Sequence, residues 1–143
     1  MAPLPFETIH ETWTEVKLED GSIIRMKPVL LWLYRRGRGR KAKPVEFRIQ
    51  LLTAVWSPKK GTPAEGEITP ARTRETISKR NLSFKYLTHG ESRYEYEGGQ
   101  ALVLGVIPTR FDKTSLFDRN GDPVYSIDSR VEAGPDAVTK VQG

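Results

Sequence analysis

The sequence predicts a mainly β fold, a small antiparallel barrel or sandwich of about seven to eight strands. Three observations lead there. Apolar residues recur at period two through most of the chain. Turn dipeptides and triplets such as Asp20-Gly21, Gly98-Gly99 and Asn120-Gly121 cut those stretches into short pieces. One segment alone, near 70–80, opens with a helix signature.

Residues 1–6 contain Pro3 and Pro5 and read as an extended lead-in. Thr12–Leu18 reads as the first strand, and Glu19-Asp20-Gly21-Ser22 as the turn after it, with Asp-Gly supplying the positive φ of a tight hairpin. Ile23–Tyr34 follows as a long strand. Its even positions, Ile24, Met26, Pro28, Leu30, Trp32 and Tyr34, make an unbroken apolar face. Its odd positions begin with Arg25 and Lys27 and turn apolar at Val29, Leu31 and Leu33, so the strand is expected to start half exposed and end buried on both faces. Pro28 has no amide donor and marks an edge or a bulge.

Val45–Trp56 alternates, with Val45, Phe47, Ile49, Leu51 and Val55 on one side and Glu46, Arg48 and Gln50 on the other. It is expected to pair antiparallel with Ile23–Tyr34 across a basic hairpin loop at 35–43. Ser57–Pro70 is rich in Pro, Gly and Lys and reads as a long loop. Thr69-Pro70 is an N-cap and N1 pair, and a short helix follows within Ala71–Arg80. Leu82–Thr88 and Ser92–Tyr96 form a second hairpin around His89-Gly90-Glu91. Ala101–Ile107 is a short apolar strand that Pro108 ends. Phe111–Phe117 and Val124–Val131 flank the turn Asp118-Arg-Asn-Gly-Asp-Pro123. The organisation is one β domain over 1–132, with a flexible tail over 133–143.

At 143 residues, with 37% hydrophobic and 29% charged residues, the chain can bury one real core and does not have the composition of a disordered segment. Cysteine is absent, which rules out disulfides, thiolate zinc sites and a cysteine nucleophile. The start does not read as a signal peptide. The longest apolar run, Val29–Tyr34, falls far short of the ~20 residues a bilayer needs. A cytoplasmic protein with no membrane partner is expected. The net charge of +5 and pI near 9.6 favour a polyanionic partner.

The densest feature is Arg35-Arg-Gly-Arg-Gly-Arg-Lys-Ala-Lys43, with six basic residues in nine and no acid. Arginine forks bind phosphate oxygens in pairs, and each neutralised phosphate releases counterions. The nucleic-acid contacts expected here are Arg35, Arg36, Arg38, Arg40, Lys41 and Lys43. A second basic stretch adds Arg72, Arg74, Lys79 and Arg80, with Lys85 beyond it. Trp32, Tyr34 and Phe47 flank the loop as base-stacking candidates, although their alternation fits core positions better. The Arg-Gly-Arg-Gly-Arg run resembles the arginine–glycine segments of RNA-binding proteins and is too short to specify a family.

Acidic residues gather elsewhere, at Glu7, Glu11, Glu15, Glu19 and Asp20 and again at Glu91, Glu95 and Glu97, which permits a bipolar surface. Catalytic signals are weak. Asp118-Arg-Asn-Gly-Asp122 puts Pro123 and Ser129 where a calcium loop needs glycine and glutamate, so a hairpin turn is the better reading. His10 and His89 lie outside any serine-elbow motif, and no phosphate-binding or dinucleotide fingerprint occurs. No catalytic residue, metal site or cofactor is assigned. The leading expectation is a non-enzymatic nucleic-acid-binding β domain that contacts phosphates through the basic loop. The alternative is a structural or assembly subunit, part of a virion or a multiprotein complex. There the loop docks on an acidic protein surface or mediates homo-oligomer contacts.

Overall fold

Alternating polar and apolar residues can be satisfied when two sheets bury one face each against the other. The computed structural model describes residues 2–35, 45–135 and 137–142. The elements are β1 (Glu7–Glu11), β2 (Thr14–Leu18), β3 (Ile23–Arg35), β4 (Val45–Trp56), α1 (Pro70–Glu75), β5 (Ile77–Lys79), β6 (Phe84–Thr88), β7 (Ser92–Tyr96), β8 (Gln100–Phe117), β9 (Pro123–Pro135) and β10 (Ala137–Gln142). One five-stranded sheet runs β10–β4–β3–β2–β6. In the other, also five-stranded, β9 takes one edge of β8, while β7 and β5 share the opposite edge at its two ends, and β1 pairs with β7. The mainly β sandwich with one short helix is therefore observed. Among the described residues no helix is long and apolar enough to cross a membrane.

The core has two ends. Toward the 36–44 connection, Leu30, Leu33, Val45, Phe47 and Ile49 meet Tyr94, Tyr96, Leu102 and Leu104 of the other sheet. Toward the β2–β3 turn, Val16, Leu18, Ile24 and Met26 meet Val106, Phe111 and Tyr125, with Leu82 beside them. Both ends draw side chains from both sheets, as a sandwich requires.

The β3–β4 hairpin forms as its alternation demands, from Ile23↔Trp56 to Arg35↔Val45. The turn before it closes with Gly21 at φ +87° and with Asp20 accepting a hydrogen bond from the Ser22 amide at 2.9 Å. In the β8–β9 turn, Asp118 accepts from the amides of Asn120 and Asp122 at 2.8 and 3.0 Å. Its carboxylate is thus engaged in capping a hairpin turn.

Four elements differ from the sequence expectation, the smallest being β5, a strand at Ile77–Lys79 that pairs with β8 inside the stretch where the sequence predicts only a short helix. β1 occupies Glu7–Glu11, next to the lead-in, because it finds a partner in β7 that local pattern does not reveal. β8 runs through Pro108 as one strand of 18 residues, with a register shift between Pro108 and Arg110 in its pairing with β9. A proline at a ladder irregularity removes no needed donor. The stretch read as a tail from Ala133 instead continues β9 to Pro135 and lays Ala137–Gln142 parallel to β4.

Pro28 sits where the expectation of an edge placed it. The pairing of β2 with β3 ends at Thr14↔Met26, and the next backbone partner on that side among the described residues is Pro3, bridged to Tyr34, so Pro28 lies in an unpaired stretch. A strand residue points its N–H and C=O to the same side, so a proline here costs no bond. The other sheet supplies substitutes: the Ser92 hydroxyl donates to the Pro28 carbonyl at 2.6 Å, and the Leu30 amide donates to the Tyr94 hydroxyl at 2.9 Å. Further along, the Leu4 amide donates to the Leu33 carbonyl at 2.7 Å.

Candidate functional site

A β-bulge decides which way the aromatic residues of β3 point. The β3–β4 register shifts between Leu30↔Ile49 and Trp32↔Arg48, which leaves Leu31 as an extra residue. Past a bulge the alternation changes phase. Even positions are buried up to Leu30, but Leu33 is the next buried residue. The unbroken even-numbered face expected from the sequence is therefore corrected. Trp32 is 50% exposed and Leu31 44%, while Tyr34 is half-buried on the same outward side. Phe47, the third stacking candidate, stays in the core.

The outward face of this sheet gathers the three tryptophans of the chain. Trp56, 53% exposed, stands opposite Ile23 at the far end of the hairpin. Trp13, just before β2, lies under the Arg25 guanidinium at 4.7 Å and the Lys27 ammonium at 4.6 Å. Trp13 is held there by a close approach: a Cβ on Gly90 would stand 2.4 Å from the Thr12 and Trp13 carbonyls. Arg48 stands opposite Trp32 and lies 5.9 Å from the Tyr34 ring. Lys60 lies 5.6 Å from the Trp56 ring. Cations over aromatic faces are weakly attractive at exposed sites.

Charge on this face is one-sided. Lys17 and Lys85 are register partners across β2–β6, and neither has a carboxylate partner among the described residues. Like charges directly opposite each other destabilise a ladder unless an anion relieves them. Arg25, Lys27 and Arg48 continue the same sign. Against these five cations stand Glu15, 3.8 Å from Arg25, and Glu46. The cationic strip leads along the hairpin to Arg35, which is ion-paired with Glu97 at the head of β3. On the outward side of the other sheet, Glu7 and Glu95 are register partners. Arg93 shares that side of β7, two residues before Glu95.

Of the contacts expected from the sequence, Arg36, Arg38, Arg40, Lys41 and Lys43 lie outside the described residues, and Arg35 lies at the hairpin head. The second basic stretch does not join them. Arg72 donates to the carbonyls of Glu65 and Glu67 at 2.7 and 3.2 Å, bracing its own loop. Lys79 pairs with Glu19 at 3.1 Å, and Arg80 approaches Asp112 at 3.7 Å. Both pairs sit near the β2–β3 turn end, opposite the hairpin head at Arg35↔Val45. Arg74 is exposed and has no ion-pair partner among the described residues.

A shallow depression of about 590 Å³ lies where the cationic face meets the β2–β3 turn, lined by Lys17, Glu19, Asp20, Ser83 and Lys85 among others. Its carboxylates are held ionised. The backbone amide of Ser83 and then Lys79 lower Glu19 below the usual carboxylate range. Burial opposes the charge on Asp20, yet hydrogen bonds from Tyr125, Lys113 and Ser22 outweigh it and bring Asp20 down to about 2. Burial, and then the Asp20 carboxylate, push the Tyr125 phenol upward, so it remains a neutral donor. Neither carboxyl has the raised value that suits a general acid near neutrality.

The sequence reading did not single out Trp13 or Trp56, and it named Trp32 as a stacking candidate while its alternation favoured a core position. The outward positions of β4 carried a readable signal: after Glu46, Arg48 and Gln50 they continue as Leu52, Ala54 and Trp56. Comparison with protein-family models, curated proteins and solved structures finds no match for this chain.

Proposed function

We propose that this protein is a non-enzymatic nucleic-acid-binding β domain whose binding surface is the outward face of the β10–β4–β3–β2–β6 sheet, extended by the Arg/Gly loop. The observation that carries this reading is the row Lys85, Lys17, Arg25, Lys27 and Arg48 beside three tryptophans on one sheet face. Phosphates supply the missing counter-charge, and the loop arginines extend the contact beyond the hairpin head. A cysteine-free chain of this kind suits the reducing cytoplasm.

The test is fluorescence anisotropy with a labelled oligonucleotide at two ionic strengths. If all five face cations engage phosphates, a single strand gives a slope of log affinity on log salt near −3.5, about a hundredfold loss between 50 and 200 mM. Replacing Lys17, Lys27 and Arg48 with Gln removes about three-fifths of that slope. A slope near zero, or one unchanged by the triple substitution, excludes the sheet face.

A second reading, assembly through protein contacts, draws on the acidic Glu7–Glu95 pair of the other sheet. A basic face meeting an acidic face of another copy gives oligomers that grow with concentration and dissolve in salt. Light scattering at low salt separates it from the first reading.

A further inference from the structure

The same face carries more than charge. Binding to duplex phosphates needs cations alone, since the bases are stacked inside. Large exposed rings on a sheet have a different use, because unpaired bases stack on them. Trp32 is half exposed and has no ring or cation partner among the described residues, so its face is open. It owes this position to the Leu31 bulge, and the bulge lies where β3 is no longer paired with β2. Trp56 offers a second exposed ring at the level of Ile23, nine residues along β3 and about 30 Å from Trp32 at roughly 3.3 Å per residue. Between them run Arg25 and Lys27, with Arg48 level with Trp32 on the neighbouring strand. Rings at both ends with cations between form a track for an extended strand, its phosphates on the cations and its bases on the rings.

We infer that the sheet face is a single-strand site, in which Trp32 and Trp56 stack unpaired bases of an RNA or DNA segment running along the β3–β4 hairpin. This rests on the nucleic-acid reading above and names its substrate class. Stacking accepts any base, so the site is tolerant of sequence. It discriminates against duplex, whose bases cannot reach the rings.

The experiment compares four probes of equal length at low salt: a thymidine strand, a uridine strand, a mixed-sequence duplex, and a thymidine strand whose central residues are abasic. The full chain binds at least one of the two single strands tenfold or more tightly than the duplex. W32A weakens binding of the base-bearing strand about tenfold and leaves the abasic strand unchanged, whereas W32F keeps most of the affinity. Both rings are exposed, so a matched far-ultraviolet circular dichroism spectrum confirms that a variant is folded. Duplex binding as tight as single-strand binding overturns the inference and leaves the nucleic-acid reading standing. So does an equal loss by W32A on the abasic strand. Failure to bind any probe overturns both.

Discussion

Tyr94→Phe removes one oxygen from the centre of the sandwich and should cost about 2 kcal/mol. Tyr94 is fully buried, and its ring packs edge-on against Phe6 at 5.6 Å, a contact phenylalanine keeps. The hydroxyl accepts from the Leu30 amide at 2.9 Å and donates to the Glu11 carboxylate. Burial, and then Glu11, push the phenol above its ordinary value, so it is a neutral donor at all working pH. In the variant Glu11, only partly buried, recovers water. The Leu30 amide does not, because the stretch of β3 between Met26 and Leu33 has no ladder partner on that side among the described residues and Leu30 is buried. A stranded buried amide costs about 1–3 kcal/mol, and most of the loss comes from it. Urea unfolding followed by circular dichroism reads the change, with the denaturant slope held constant. The melting temperature falls by about 4–8 °C for a chain of this size. Glu11→Gln, which preserves an acceptor, should cost under about 1 kcal/mol. A Tyr94→Phe cost below about 0.5 kcal/mol at unchanged slope would refute the reasoning. The free edge of β3, and with it the setting of the bulge that turns Trp32 outward, would then be satisfied in some other way.

Two more predictions concern the frame around the site. The folded value of Asp20 lies below its ordinary 3.8, so its contribution to stability is present above about pH 4 and lost as pH falls toward 2. Discounted for partial exposure, that contribution is about 1 kcal/mol, and Asp20→Asn should flatten the acid limb of the stability–pH curve by this amount. An acid limb identical to that of the parent protein would remove Asp20 from the account. Gly90→Ala places a methyl group against the backbone of Thr12 and Trp13, which cannot give way as a side chain can. It should destabilise by about 2 kcal/mol or more and loosen the Trp13 stack on Arg25 and Lys27. A crystal structure of that variant with Trp13 unmoved and stability unchanged would contradict this.

The fold was largely legible because its signals are local. Period-two alternation identified β4 and β7 to the residue, and Asp-Gly and Asn-Gly marked two turns whose geometry follows from those residues. Thr69-Pro70 located α1, where the Thr69 hydroxyl accepts from the Arg72 amide at 3.1 Å. Strands β1 and β10 were illegible because each depends on a distant partner, β7 and β4 respectively. The candidate site was half legible for the same reason. Composition pointed to cations, and alternation assigned Arg25, Lys27 and Arg48 to an outward face. The bulge at Leu31 left no local mark in a run of apolar residues, so alternation carried Trp32 into the core. The second basic stretch failed for a different reason. Charge density says nothing of partners, and folding matches Lys79 with Glu19 and brings Arg80 toward Asp112.

All three tryptophans lie on the proposed face, so the tryptophan emission of the protein reports on that face. Titration with an unlabelled thymidine 20-mer at low salt is the most direct test. Bases stacking on Trp32 and Trp56 quench the emission in a saturable way, and W32A removes much of the quench. Saturable binding by anisotropy with unchanged tryptophan emission would place the nucleic acid elsewhere on the protein and contradict the account.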